Sequence, residues 1–392
     1  MAESWILSAV RTPIGKFLGS LAEMSAPQLG AVAVQEALRR CGANAAEVDE
    51  VILGCVVQAG LGQNPARQAA LKAGLPDTIA AVTVNKVCGS GLKAVMLADQ
   101  AIRCGDARLI IAGGMESMSQ APYLLRGVRN GWKFGEQKAI DALIHDGLWC
   151  AFENCHMGES AEYIAERCQV SREDMDRYAV QSHHRAASAW EKGLFNAEVV
   201  PITIGSGPKA KTIQRDEGIR PETSFEALAK LKPAFRSEGL VTAGNASMMS
   251  DGASAVVVAD SATARRLKVQ PLARIVASAT AGVAPREIFL APVLAIRKVL
   301  DKAGLTLDDM DLFEINEAFA AQMRACLKEL KLDEDRVNVH GGAIALGHPI
   351  GASGARTLTT LLYTMQTRNV RRGLVSLCLG GGNAVAMIVD RG

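Results

Sequence analysis

Apolar residues along this chain gather in short continuous runs and in longer broken ones, and the two kinds alternate. Val51 to Val57, Ile79 to Val84 and Leu109 to Ala112 are strand-length runs. Ala33 to Arg40 and Leu92 to Ile102 instead read as Ala/Leu-rich amphipathic helices. This alternation predicts layered α/β structure.

The pattern then repeats. Ala33-Val34-Gln35-Glu36-Ala37-Leu38-Arg39-Arg40-Cys41-Gly42 matches Ala295 to Gly304, 262 residues on, each segment a helix ended by glycine. The match continues through an acidic turn (Asp49, Asp311) into a strand (Val51 to Leu53, Phe313 to Ile315), and with small drifts it pairs Leu92 with Ala355 and Leu109 with Leu374. Four blocks in order at a nearly constant offset point to two copies of one α/β unit. In this alignment Asn316 falls on Gly54 and Cys378 on Gly113. Residues 119–249 interrupt the repeat and hold Trp132, Trp149, Trp190 and four of the six histidines, as expected of an insertion that covers a site. Within it, Ser171 followed by Glu173 and Asp174 predicts a helix start leading into Met175 to Lys192.

Composition narrows the range of functions. The chain has 392 residues, 49% of them apolar and 21% charged, with a net charge of +2, which excludes a disordered chain and a basic nucleic-acid surface. Small molecules and other subunits are the expected partners. No apolar run approaches the roughly 18 residues that span a bilayer. Nine cysteines without paired spacing, and the start Met1-Ala2-Glu3-Ser4-Trp5, predict a cytoplasmic protein in a reducing compartment.

One cysteine stands out. Cys88, in Asn85-Lys86-Val87-Cys88-Gly89-Ser90-Gly91, lies where a strand gives way to a helix. There the unpaired N–H groups and positive dipole end are expected to lower its pKa below the free value of about 8.5. His348, in a glycine-rich run from His340 to Gly354, precedes the second copy of that helix, so the two helix starts are expected to face one cleft. Cys378 ends a strand before Gly380-Gly381-Gly382, whose N–H groups could bind an oxyanion. No lysine and serine or threonine follow these glycines, so they form no phosphate-binding Walker loop. Cys150, Cys155, His156 and Cys168 lack metal-ligand spacing, and no metal site is expected.

These residues resemble the thiolase family over nearly the whole chain. The resemblance rests on six segments in order: Ser8 to Gly15, Asn85 to Lys93, Gly113 to Ser119, Asn316-Glu317-Ala318-Phe319, Gly347 to Gly354, and Cys378 to Gly382. It implies two duplicated βαβαβαββ halves in a five-layer αβαβα core with an inserted loop domain. The halves would take residues 1–118 with 250–270, and 271–392; the loop domain, 119–249, would bind CoA. It also implies reversible ping-pong Claisen chemistry on two acetyl-CoA molecules, giving acetoacetyl-CoA and CoA. Cys88 would carry the acyl group, His348 would activate it, and Cys378 would move a proton at the second substrate. Asn316 would hold a water that forms an oxyanion hole with His348, and the Cys88 and Gly380 N–H groups would form another.

His156 resembles the biosynthetic, short-chain branch of the family. Arg220, Ala243 and Ser247 resemble CoA-holding positions, and Leu148, Met157, Phe235 and Phe319 match apolar neighbours of the pantetheine and acyl group. The resemblance implies no cofactor beyond the CoA thioester substrates, and a homotetramer built from tight dimers. Trp149-Cys150 and Ile288-Phe289-Leu290 depart from the family pattern beside the acyl pocket. They leave open a broader 3-ketoacyl-CoA thiolase of fatty-acid β-oxidation.

Overall fold

The computed structural model describes residues 3–392; Met1 and Ala2, part of the start read above, lie outside them. The first half contains β1 (Ser4–Arg11), α1 (Ala26–Cys41), β2 (Glu50–Gly54), α2 (Pro65–Lys72), β3 (Ala80–Val84), α3 (Ser90–Cys104) and β4 (Leu109–Ser117). α1 begins after Ser25, whose backbone N–H donates to the Gln28 side chain at 2.8 Å. It stops at Gly42, with the left-handed φ of 67° that costs glycine little.

Residues 119–249 then leave the sheet. They form the hairpins β5 (Tyr123–Leu125) with β6 (Ala139–Asp141) and β7 (Trp149–Cys150) with β8 (Cys155–His156), then α4 (Met157–Cys168) and α5 (Arg172–Glu191). Ser171 caps α5 as its sequence predicts, its Oγ accepting the Asp174 N–H at 3.1 Å. The chain returns to the sheet as β9 (Ser250–Asp260), paired with both β1 and β4.

The second half repeats the order with β10 (Ala273–Gly282), α6 (Ala291–Ala303), β11 (Leu312–Ile315), α7 (Ala320–Leu330), α8 (Ser353–Thr367), β12 (Arg372–Leu379) and β13 (Asn383–Asp390). The strands run in the order β11-β12-β13-β10-β1-β9-β4-β2-β3, and the short strand Gly15–Lys16 pairs with β9. Among the described residues, only Trp5 with Arg274 and Ile6 with Ala273 pair across the halves along this path. Inner strand faces of both halves pack on α3 and α8: Ile110 and Val256 share a core with Val375 and Met387, with Leu92 and Val95, and with Leu358 and Leu362. α1 and α2 cover the outer face of the first half, α6 and α7 that of the second, which makes the five layers αβαβα.

The duplication extends to details. α6 ends at Gly304 with φ 65°, as α1 ends at Gly42, and the first strand of each half slips register at an equivalent step, between Ile6 and Ser8 and between Ile275 and Ala277. One strand has nearly vanished. Where the first half has β3, the second keeps a single bridge from Val337 to Phe313, and the Asn338 side chain bonds the Ile315 N–H and carbonyl at 2.9 and 2.8 Å as a strand would.

Strand pairing corrects one expected correspondence. Leu53 pairs with Gly113 and Ile315 with Ser376, so Gly113 answers to Ser376, and Cys378 stands level with Met115. A slip of two residues keeps every side chain on its own face of the sheet, so the apolar pattern cannot reveal it.

Two glycines bring the halves together. A Cβ on Gly354 would stand 2.3 Å from the Leu92 N, and one on Gly91 would stand 2.8 Å from the Ala355 N. The first turns of α3 and α8 therefore touch backbone to backbone, and the residues leading into each reach one space.

Candidate active site

In the turn that enters α3, the Asn85 side chain accepts the Val87 N–H at 2.9 Å. Ser90 Oγ accepts the Lys86 N–H at 2.8 Å and donates to the Val87 carbonyl at 2.6 Å. These bonds hold Val87 at φ 46°, a left-handed conformation that a β-branched residue resists. Gly89 follows because a Cβ there would meet Leu379 Cδ2 at 2.3 Å. Cys88 is thereby presented to a cavity of about 420 Å³.

Its own N–H and that of Gly380 reach the Cys88 sulfur and favour the thiolate, but burial outweighs them and pushes the thiol up to about 12. The expected lowering by the helix start is therefore not found. No cation stands among the causes of the shift, and two backbone N–H groups do not replace the lost water.

Entering α8, buried His348 has Nδ1 2.6 Å from Ser353 Oγ, which itself donates to the Pro349 carbonyl at 2.9 Å. Ser353 has one proton to give, so it accepts from Nδ1–H. The imidazole is then the tautomer whose bare Nε2, buried and without a partner, can take a proton. Burial, then the charge of Arg356, pulls its pKa down to about 3, so the ring is neutral near pH 7. This turn is tied to the first half by Glu116, which accepts N–H groups from Gly351 at 2.8 Å, Val56 at 3.0 Å and Val57 at 3.2 Å.

Cys378, at the end of β12, lines the same cavity, as does Gly380. Burial, then the proximity of Cys88, pushes its thiol well up. Asn316 sits outside the cavity lining, fully buried beyond the end of β11. Its Oδ1 accepts from Arg356 Nη2 at 3.3 Å, and its Nδ2 has no partner.

The remaining anticipated residues all line the cavity. Leu148 comes from the turn before β7, His156 from β8 and Met157 from the start of α4; Arg220, Phe235, Ala243 and Ser247 come from the loop back to β9; Phe319 precedes α7. His156 Nδ1 accepts the Gly158 N–H at 3.0 Å, and its ring stacks on Phe235 at 4.9 Å. Phe235 meets Phe319 at 6.2 Å, and Phe319 meets Phe289 at 5.3 Å, forming an aromatic wall. Burial lowers the His156 pKa.

Two contributors escaped the sequence reading. His183 lines the cavity and its Nδ1 accepts the Arg220 N–H at 3.1 Å; burial, then Arg220, pulls its pKa down to about 4. Arg356 lies buried behind Asn316, with Nε and Nη1 unpartnered and its pKa lowered by burial. An arginine in the apolar run after Ser353 was the available signal for it. The Ser8 to Gly15 segment has a different role. Its buried Arg11 pairs with Glu198 at 2.5 Å and, through two nitrogens, with Asp216 at 2.6 and 2.9 Å, locking the insertion onto the first half.

Comparison with known proteins gives a consistent picture. Models of the thiolase N-terminal and C-terminal domains match residues 4–262 and 269–391. An acetyl-CoA acetyltransferase of Pseudomonas aeruginosa is 53% identical over 395 residues, covering 100% of both chains. One of Cupriavidus necator is 50% identical with the same coverage. The crystal structure of the Bacillus anthracis acetyl-CoA acetyltransferase has a TM-score of 0.98 to this chain at 43% identity, covering 100% of this chain and 99% of that one.

Proposed function

The chain belongs to the thiolase family, and within it we propose an acetyl-CoA acetyltransferase that joins two acetyl-CoA molecules into acetoacetyl-CoA and CoA, reversibly. The observation that carries this reading is one cavity lined by two thiols, Cys88 and Cys378, and by an imidazole whose Nε2 has no partner.

In the first half-reaction the Cys88 sulfur attacks the acetyl carbonyl as His348 Nε2 takes the thiol proton. CoA leaves as its thiol with a proton given by Cys378, and the acetyl group stays on Cys88. In the second, the Cys378 thiolate so formed removes a proton from the methyl of another acetyl-CoA. The carbanion attacks the acetyl-Cys88 carbonyl, and Cys88 departs and takes its proton back from His348. The N–H groups of Cys88 and Gly380 bind one developing oxyanion, and a water on Asn316 with His348 binds the other. A positioned acid or base is worth about 10² to 10⁴ in rate and an oxyanion donor about 10² to 10³. The high thiol pKa of Cys88 fits a reaction in which the proton moves only when substrate arrives.

The apolar wall, with Arg220 and Ser247, suits a pantetheine arm and its nucleotide end, and the reading calls for no cofactor. Phe289 in the aromatic wall favours a small acyl group. Thiolysis of C4 to C16 ketoacyl-CoA substrates is expected to peak at C4; a maximum at C8 or longer would make the broader 3-ketoacyl-CoA thiolase the better description. Exposed Tyr123, Leu125 and Phe134 in and beside the β5/β6 hairpin, and Val82 on edge strand β3, support association between subunits, which the family resemblance makes a homotetramer. The cytoplasm is the proposed compartment. Nine free thiols suit it, and among the described residues no helix is long and apolar enough to cross a membrane.

A further inference from the structure

A second pair of thiols lies in the hairpin β7/β8. Cys150 and Cys155 are directly opposed across its two strands, either side of the turn 151–154, and both are free. Opposed residues on antiparallel strands stand about 4.5–5.5 Å apart at Cα, within the roughly 4.4–6.8 Å that a disulfide spans. Cys150 is 2% exposed, and its Sγ accepts the Glu153 N–H at 3.4 Å. Cys155 is half-buried, with Sγ 3.8 Å from Ser160 Oγ.

The hairpin borders the cavity. Leu148 precedes it and His156 closes it, and both line the cavity wall. At its tip Phe152 is 73% exposed and leans on the glycine loop after Cys378: its Cε2 lies 3.3 Å from where a Cβ on Gly381 would stand.

We propose that Cys150 and Cys155 form an oxidation site that closes to a cross-strand disulfide when the protein meets a hydroperoxide. Cys155 is the reachable thiol and reacts first. Its thiolate attacks the peroxide O–O bond, giving a sulfenic acid and, from hydrogen peroxide, one water. The Cys150 sulfur then attacks the sulfenic sulfur, forming the S–S bond and releasing a second water. Two thiols lose two electrons and two protons, and the peroxide is reduced to water; a dithiol reductant reverses the change. Burial raises the Cys155 pKa, so closure is slow at neutral pH and faster in mild alkali.

Glu153 lies between the two cysteines, which makes a direct test simple. The full chain is treated with hydrogen peroxide, remaining thiols are alkylated, and a glutamate-specific protease cuts after Glu136, Glu153 and Glu159. Peptides 137–153 and 154–159 are expected to remain joined, lighter by two hydrogens than their sum, and to separate in dithiothreitol. In Cys155→Ser no such product forms, and Cys150 is recovered alkylated. Separate wild-type peptides, with Cys155 alkylated or carried on to sulfinic acid, would overturn the proposal. So would Cys155 joined to Cys88 or Cys104.

Discussion

The turn entering α3 and the turn entering α8 share a serine at the first helical position, Ser90 and Ser353, and use it differently. Ser90 closes its own turn, accepting from Lys86 and donating to Val87. Ser353 donates to Pro349 and accepts from His348, so the same hydroxyl orients an imidazole. With these serines superposed, Cys88 falls opposite Gly351, and His348 opposite Asn85. The thiol and the base thus come from equivalent turns but from steps three residues apart. Duplication produced two touching helix starts, and the chemistry was added by unlike residues ahead of them. The first turn holds Val87 at φ 46°, whereas the second reaches its sharpest angle, φ 111°, at Gly347.

Removing the residue unique to the first turn is expected to have the largest effect. Cys88→Ser should lower acetoacetyl-CoA thiolysis by at least about 10³-fold and eliminate the acetyl-enzyme seen by mass spectrometry after acetyl-CoA is added. A stable acetyl adduct on Cys378 in that variant would reverse the roles assigned to the two turns.

The next test asks whether the turns share a proton at rest. Burial holds Cys88 as a thiol, with its pKa pushed up to about 12, and holds His348 neutral, with its pKa pulled down to about 3. A raised thiol pKa means that the thiolate fraction climbs with pH until about 12. Iodoacetamide labelling of Cys88 should therefore rise about tenfold per pH unit, or about 10²-fold from pH 7 to 9. A thiolate–imidazolium pair would instead label at a constant rate from mildly acidic pH upward, and that flat profile would show that the turns are ionised before substrate binds.

Much of this comparison was legible in the chain. The repeat announced itself in the glycine stops at Gly42 and Gly304, in the acidic turns at Asp49 and Asp311, and in the strands that follow them. Cys88, His348 and Cys378 were legible because glycine-rich segments leave a chemical trace, whereas His156, Arg220, Ser247 and the apolar lining were legible only through the family resemblance. What remained hidden depends on depth. The direction of the Cys88 shift is set by burial, which no local motif encodes, and the helix-start argument pointed the other way. Arg356 and His183 read as ordinary helix residues until α8 and α5 are packed. The two-residue error at Cys378 survived because both strands are buried on both faces, so their continuous apolar runs look alike after a slip of two. The loss of the third strand in the second half was masked because Asn338 supplies its hydrogen bonds from a side chain.

The smallest expected effect separates the two serines. Ser353→Ala leaves His348 Nδ1–H without its acceptor in a buried site, which costs about 1–3 kcal/mol and frees the ring to turn. If that penalty falls on the reaction barrier, kcat drops about 10- to 100-fold, with a smaller change in KM. Ser90→Ala removes only bonds within its own turn. It should lower the melting temperature while leaving kcat within about threefold, because Val87 and Cys88 are also held by Asn85 and by the packing of Gly89 on Leu379. Steady-state kinetics and thermal melts of both variants therefore divide the shared serine into a catalytic and a structural copy. Equal kcat losses in the two would mean that the turns position their residues by the same means, and that their divergence lies in the thiol and imidazole alone.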